Sequence, residues 1–214
     1  MIPWLEPNDA PQFPDTQTAL NKPNGLLAAG GQLGVEWLLA AYRQGIFPWF
    51  SADEPILWWS PAPRAVLTPE HFRESRSLRK LARQNRYQIE VDTNFDAVIQ
   101  ACAEPRNNQP GTWINDQMIK AYINLHRAGL AHSIECRMDG ELVGGLYGVA
   151  LGQVFFGESM FSRQANTSKL CLRYLVQSGD YHMIDCQLPT AHLYSLGATE
   201  ISRRAFENAL NRWI

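Results

Sequence analysis

Three groups of side chains in this sequence have types and spacings suited to chemistry. The first is Glu158, set in the run VFFGESMFS (residues 154–162) among aromatic and apolar residues with no basic residue between them. A carboxylate removed from water stays ionised only where a cation or several hydrogen-bond donors meet it; otherwise its pKa rises and it neutralises. A cation is therefore expected beside Glu158, either an arginine of this chain such as Arg137 or Arg163, or a positive group on a substrate. Strand alternation puts Glu158 on the face of Phe156 and Met160, opposite Phe155 and Ser159, unless a bulge at Gly157 intervenes.

The second group is IDCQ, residues 184–187. Alternation sends Asp185 and Gln187 to one face and Ile184 and Cys186 to the other. An ionised Asp185 could accept a proton or hold the Gln187 amide in one orientation, and that amide could bond an amine or a carbonyl. A polar network at a strand end is the competing use. Cys186, facing the core beside Ile184, is expected to be inert.

The third is the basic segment FRESRSLRKLARQNR, in which Arg73, Arg76, Lys80 and Arg83 recur at helical spacing with no acid between Arg76 and Arg86. Such a face either stays solvated or holds phosphates. Trp49, Trp58, Trp59 and Trp113 could line an apolar slot or stack on bases, or fill core. The five histidines show no i,i+4 pair and no ligand spacing with acids, so no metal is expected.

These groups must be positioned by regular elements. LGVEWLLAAYRQGIFPWF spaces Leu33, Trp37, Leu38 and Ala41 as a helix ending near Gly45. EPILWWSPAPRAVL suits a strand leading through Pro61 and Pro63 into a connection, which puts a domain boundary near residue 63 and divides the chain into 1–63 and 64–214. SRSLRKLARQ, FDAVIQACA and DQMIKAYINLHRAG read as helices and YQIEVDTNF as a strand. AHSIECRMDGELVGGLYGVALGQVFFGESMF reads as three antiparallel strands with turns at Asp139–Gly140 and Leu151–Gly152. A helix, TSKLCLRYLVQSG, a buried strand, YHMIDCQL, and a C-terminal helix from about Arg203 complete a mixed α/β fold. Residues 1–25 are expected to run mostly extended over the surface.

With 214 residues, 45% hydrophobic and 19% charged, the chain has the composition of a soluble globular protein, and its net charge of −2 confines any basic patch to one region. No run approaches the roughly 18 apolar residues of a membrane span, and the first residues lack a basic region followed by an apolar one, so a cytoplasmic location is expected. The four cysteines are scattered and are expected to be reduced.

A meander followed by helix, strand and helix is compatible with an acyl-CoA N-acyltransferase-like (GNAT-like) domain with a largely antiparallel sheet. In that fold a glycine-bearing loop cradles a pyrophosphate, and the matching stretch SRQANTSKL has no glycine, which disfavours coenzyme A. The segments PNGLLAAGGQL, LLAAYRQGIFPWF, LWWSPAPRAVL, SRSLRK, GTWI, AHSIE, LVGGLYGVALG, FFGESMFS, IDCQ and SLGATEI together resemble the leucyl/phenylalanyl-tRNA-protein transferase family, in order and over nearly the whole chain.

The resemblance implies transfer of leucine or phenylalanine from Leu-tRNA or Phe-tRNA to the α-amine of proteins beginning with arginine or lysine, marking them for degradation. It implies a small N-terminal domain joined to an acetyltransferase-like domain. It also implies an apolar pocket for the donor side chain at Phe155, Met160, Leu146, Leu172 and Ile184, and stacking of the terminal adenosine near Trp49 and Trp113. Arg76, Lys80 and Arg83 match its basic cluster, which would hold the acceptor-stem backbone; one further family position is Gln84 here. An aminoacyl ester is already activated, so no ATP, metal or other cofactor is expected. The attacking α-amine, with an ordinary pKa of about 8, needs only a weak base. Gln187 oriented by Asp185 is expected to bond that amine, and Glu158 to meet the positive charge of the incoming N-terminus. The competing classes are an acyl-CoA-dependent N-acyltransferase and a non-catalytic RNA-binding module.

Overall fold

The computed structural model describes residues 2–105 and 113–214. The first part of the chain forms a four-stranded sheet from β1 (Trp4–Leu5), β2 (Leu26–Gly30), β3 (Phe47–Pro48) and β4 (Leu57–Trp59), ordered β1-β2-β4-β3. Helix α1 (Val35–Arg43) packs against it, burying Trp37, Leu38, Ala41 and Tyr42. Gly45 lies just beyond the helix at φ 71°, where its missing Cβ also makes room for the Phe206 ring. Residues 1–25, expected to run mostly extended over the surface, contribute β1 and a short 3₁₀ turn at Thr16–Thr18 capped by Asp15.

The larger sheet begins at β5 (Arg64–Leu67), after a cis Ala62–Pro63 bond. Helix α2 (Arg76–Ala82) and β6 (Tyr87–Val91) follow, then α3 (Phe95–Ala103) and α4 (Asp116–Arg127). The meander is β7 (Ala131–Met138), β8 (Glu141–Leu151) and β9 (Val154–Ser162). Then come α5 (Thr167–Gln177), β10 (Met183–Gln187), α6 (Ala191–Ser195), β11 (Thr199–Ile201) and α7 (Arg203–Trp213). Side-chain caps fix the starts of several helices: Ser75 for α2, Asn94 for α3, Asn115 for α4 and Ser202 for α7 each accept a bond from a first-turn amide.

The seven strands lie in the order β11-β5-β10-β9-β8-β7-β6. Every neighbouring pair is antiparallel except β9 and β10, which run parallel and pair only through Val154–Phe156 and Met183–Asp185. Beyond those three pairs the two strands part. The fold is mixed α/β with a largely antiparallel sheet, as the sequence pattern indicates; β1, β2, β3 and β11 are the strands that pattern missed. Two cores flank the large sheet. One holds α1, α3, α4 and residues of the small sheet against Tyr147 and Phe156, and the other holds α5 against Leu146, Phe155 and Ile184.

A cavity through the parting strands

Where β9 and β10 diverge, a cavity of about 1190 Å³ opens and is lined from both faces of the sheet. On one side it meets Leu146, Phe155, Met160, Leu172 and Ile184, the five positions marked for a donor side chain, with Leu175 as a sixth wall. On the other it meets Trp49, Trp59, Trp113, Tyr147, Glu158 and Gln187. Trp58, grouped with these tryptophans by sequence, is instead a core residue: it is fully buried, stacks on Trp37 and donates its indole N–H to Gly30 O at 2.9 Å. Trp49 is 40% exposed and held edge-on by Trp59, whose indole N–H donates to Trp49 O. Of the GTWI segment, Gly111 and Thr112 lie outside the described residues.

Glu158 sits at a β-bulge. Gly157 pairs with Gly148 and Ser159 with Tyr147, leaving Glu158 as the extra residue. The parity of the core records this: Phe156 and Phe161, five residues apart, both belong to the α3/α4 core, which a regular strand forbids. Glu158 therefore shares a side with Phe156 but not with Met160, which packs toward α5. That corrects the alternation read from sequence. Gly148 has no room for a Cβ, because the Phe155 ring and the Phe156 carbonyl occupy its place.

The expected cation is absent from Glu158 among the described residues: Arg137 pairs with Glu90 and Arg163 with Glu104. Donors take its place. Tyr42 of α1 donates to Oε1 at 2.7 Å, Tyr122 of α4 to Oε2 at 2.9 Å, and the Gln187 amide to Oε1 at 3.0 Å. The two phenol oxygens also lie 2.5 Å apart. Burial raises the Glu158 pKa to about 7, opposed by the bonds from Tyr42, Tyr122 and Gln187 and reinforced by the charge of Asp185.

Asp185 is not on the cavity wall. It is fully buried and gripped by Arg64 of β5, whose Nε and Nη2 reach its two oxygens at 2.8 and 2.7 Å. Its remaining bond is from the backbone N–H of Gln187 at 2.9 Å, not from the side-chain amide. The register shifts between Asp185 and Gln187, and Gln187 adopts φ 60°. The polar pair keeps to the side away from Ile184 and Cys186, which pack in the α5 core, but the two act differently: Gln187 turns its amide into the cavity toward Glu158 while Asp185 stays buried against Arg64. Cys186 also reaches the cavity wall, but burial pushes its thiol up to about 12, so it is a thiol at neutral pH.

On α2, Arg76, Lys80 and Arg83 are exposed and form no ion pair among the described residues. Arg73 precedes the helix and does not share their face, because Ser75 caps the helix and starts it at Arg76. Tyr42, Tyr122, Tyr147 and Arg64 escaped the sequence reading. The signals were there: the phenols fall on buried faces of amphipathic helices or a strand, and Arg64 stands alone in the apolar PAPRAVL.

The family model described as leucyl/phenylalanyl-tRNA protein transferase matches residues 66–211, and that for its N-terminal domain matches residues 31–62. A leucyl/phenylalanyl-tRNA–protein transferase of an Azoarcus species is 56% identical over 216 residues, covering 100% of this chain and 91% of its own. The protein of that name from Pseudomonas putida is 57% identical over 215 residues, covering 99% and 95%. Among solved structures, a GCN5-related N-acetyltransferase from Kribbella flavida matches with a TM-score of 0.39 at 12% identity, covering 74% of this chain and 57% of that one. An N-acetyltransferase-like protein from Streptococcus suis matches with a TM-score of 0.38 at 13% identity, covering 78% and 65%. This chain is an aminoacyltransferase that works on aminoacyl-tRNA. It belongs to the leucyl/phenylalanyl-tRNA protein transferase family.

Proposed function

We propose that the enzyme moves leucine or phenylalanine from Leu-tRNA or Phe-tRNA to the α-amine of proteins whose first residue is arginine or lysine, marking them for degradation in the cytoplasm. The observation that carries this reading is a carboxylate on the cavity wall held by two phenols and an amide, with no cation of its own among the described residues. An anion so placed is complementary to an incoming positive charge.

In this reading the donor's side chain enters the apolar half of the cavity, between Leu146, Phe155, Met160, Leu172 and Ile184. Leucine and phenylalanine are unbranched at Cβ; a β-branched side chain would be disfavoured there by about 1–3 kcal/mol. Trp49 and Trp113 flank the opposite half, where an indole can stack on the terminal adenine. Arg76, Lys80 and Arg83 contact the acceptor-stem backbone. Gln187 hydrogen-bonds the attacking amine, and Glu158 in its ionised form meets the positive side chain of the incoming first residue. Asp185 acts indirectly, locking the Gln187 backbone while Arg64 neutralises it. Residues 1–63 form the smaller domain and residues 64–214 the transfer domain.

The test is transfer of labelled phenylalanine from Phe-tRNA to peptides that differ only in their first residue. Arg- and Lys-initiated peptides are expected to be modified at least about tenfold faster than an Ala-initiated one, as one desolvated charge contact predicts. Equal rates for all three would refute the acceptor assignment.

A further inference from the structure

Tyr147 presents a hydroxyl that no other described residue uses. The residue is 0% exposed, and among the described residues its phenol oxygen has no hydrogen-bond partner. Its ring is fixed edge-on between Phe95, at 5.7 Å, and Tyr122, at 5.6 Å, and its backbone pairs with Ser133 on β7 and Ser159 on β9. A buried hydroxyl left unmatched costs folding free energy, and phenylalanine would fill the same volume without that cost. Tyr147 also lines the cavity, on the side of Glu158 and Gln187.

The other phenols at this end are already occupied: Tyr42 and Tyr122 spend their hydroxyls on Glu158 and on each other. Burial, with the nearby charge of Glu158 adding to it, holds the Tyr147 phenol well above its ordinary pKa and keeps it neutral. A neutral hydroxyl beside a carboxylate suits one class of ligand atom. A carbonyl oxygen there would face the carboxylate's lone pairs, whereas a nitrogen bearing several N–H groups can give one to the carboxylate and another to the hydroxyl.

We infer that Tyr147 is a positioning residue for the incoming N-terminus, its phenol oxygen accepting a second N–H from the nitrogen that Glu158 receives. This rests on the reading of Glu158 given above and adds the group that fixes the nitrogen's direction. Two contacts from rigid elements, one on β8 and one on β9, orient a nitrogen that a single carboxylate would let swivel.

Tyr147→Phe deletes one oxygen and keeps the ring packing, so the test uses the full-length enzyme with Phe-tRNA and an Arg-initiated peptide. KM for the peptide is expected to rise about tenfold, the worth of one hydrogen bond to a charged group. KM for Phe-tRNA and kcat at saturating peptide are expected to hold, and the melting temperature to stay level or rise. An unchanged peptide KM overturns the inference, whatever happens to the tRNA. Glu158→Gln is measured alongside: a raised peptide KM there but not in Tyr147→Phe sinks the role of Tyr147 alone, while an unmoved KM in Glu158→Gln sinks the reading of Glu158.

Discussion

At the scale of the residue, Glu158 was legible as a problem but not as a solution. A lone acid in VFFGESMFS announces a desolvated carboxylate. Its partners, Tyr42 and Tyr122, lie 116 and 36 residues away on separate helices, and no local pattern connects them. The titration has two consequences of defined sign. The folded pKa, about 7, lies above the ordinary 4.5, so this group's stabilising contribution is complete below about 4.5 and is lost as pH rises through 7. The melting-temperature difference between Glu158→Gln and wild type should therefore shift in the variant's favour between pH 5 and pH 8. The proposed capture of a cation runs the other way, since it needs the ionised form. Apparent peptide affinity of the wild type should fall about tenfold from pH 8 to pH 6, while that of Glu158→Gln stays flat, as peptide titration at each pH would show.

At the scale of the element, periodicity located the meander, α5, β10 and the amphipathic helices, because each buries one face for its whole length. It failed where a strand departs from period two. The extra residue in β9 reverses the side on which the next residues fall, so alternation gives Met160 the wrong neighbours. Helix α2 shows the opposite case, a surface element whose unpaired charges could be read directly from the absence of acids. If Arg76, Lys80 and Arg83 each meet a phosphate, removing one should cut the slope of log affinity against log salt by about 0.7–0.9. Filter binding of Phe-tRNA to Lys80→Ala across a salt series measures it, and an unchanged slope would take Lys80 off the tRNA.

At the scale of the molecule, the sequence indicated a small part joined to a large one, but not how firmly they are connected. Arg64 supplies much of that connection. It holds Asp185 on β10 while its guanidinium lies 4.9 Å from the Phe47 ring in the small sheet and 4.6 Å from the Phe206 ring of α7. Removing it would strand a fully buried carboxylate, so Arg64→Ala should lose about 3–5 kcal/mol in urea unfolding. A loss below about 1 kcal/mol would show that Asp185 finds another partner or a proton.

The three donors on Glu158 come from α1 beside the small sheet, from α4 and from the end of β10, so no single part of the chain can assemble that carboxylate's surroundings alone. The enzyme in effect proofreads its own assembly: Tyr42 reaches Glu158 only when the small sheet is seated. If Glu158 serves as proposed, a molecule whose two parts drift apart by about an ångström would lose activity well before it melts.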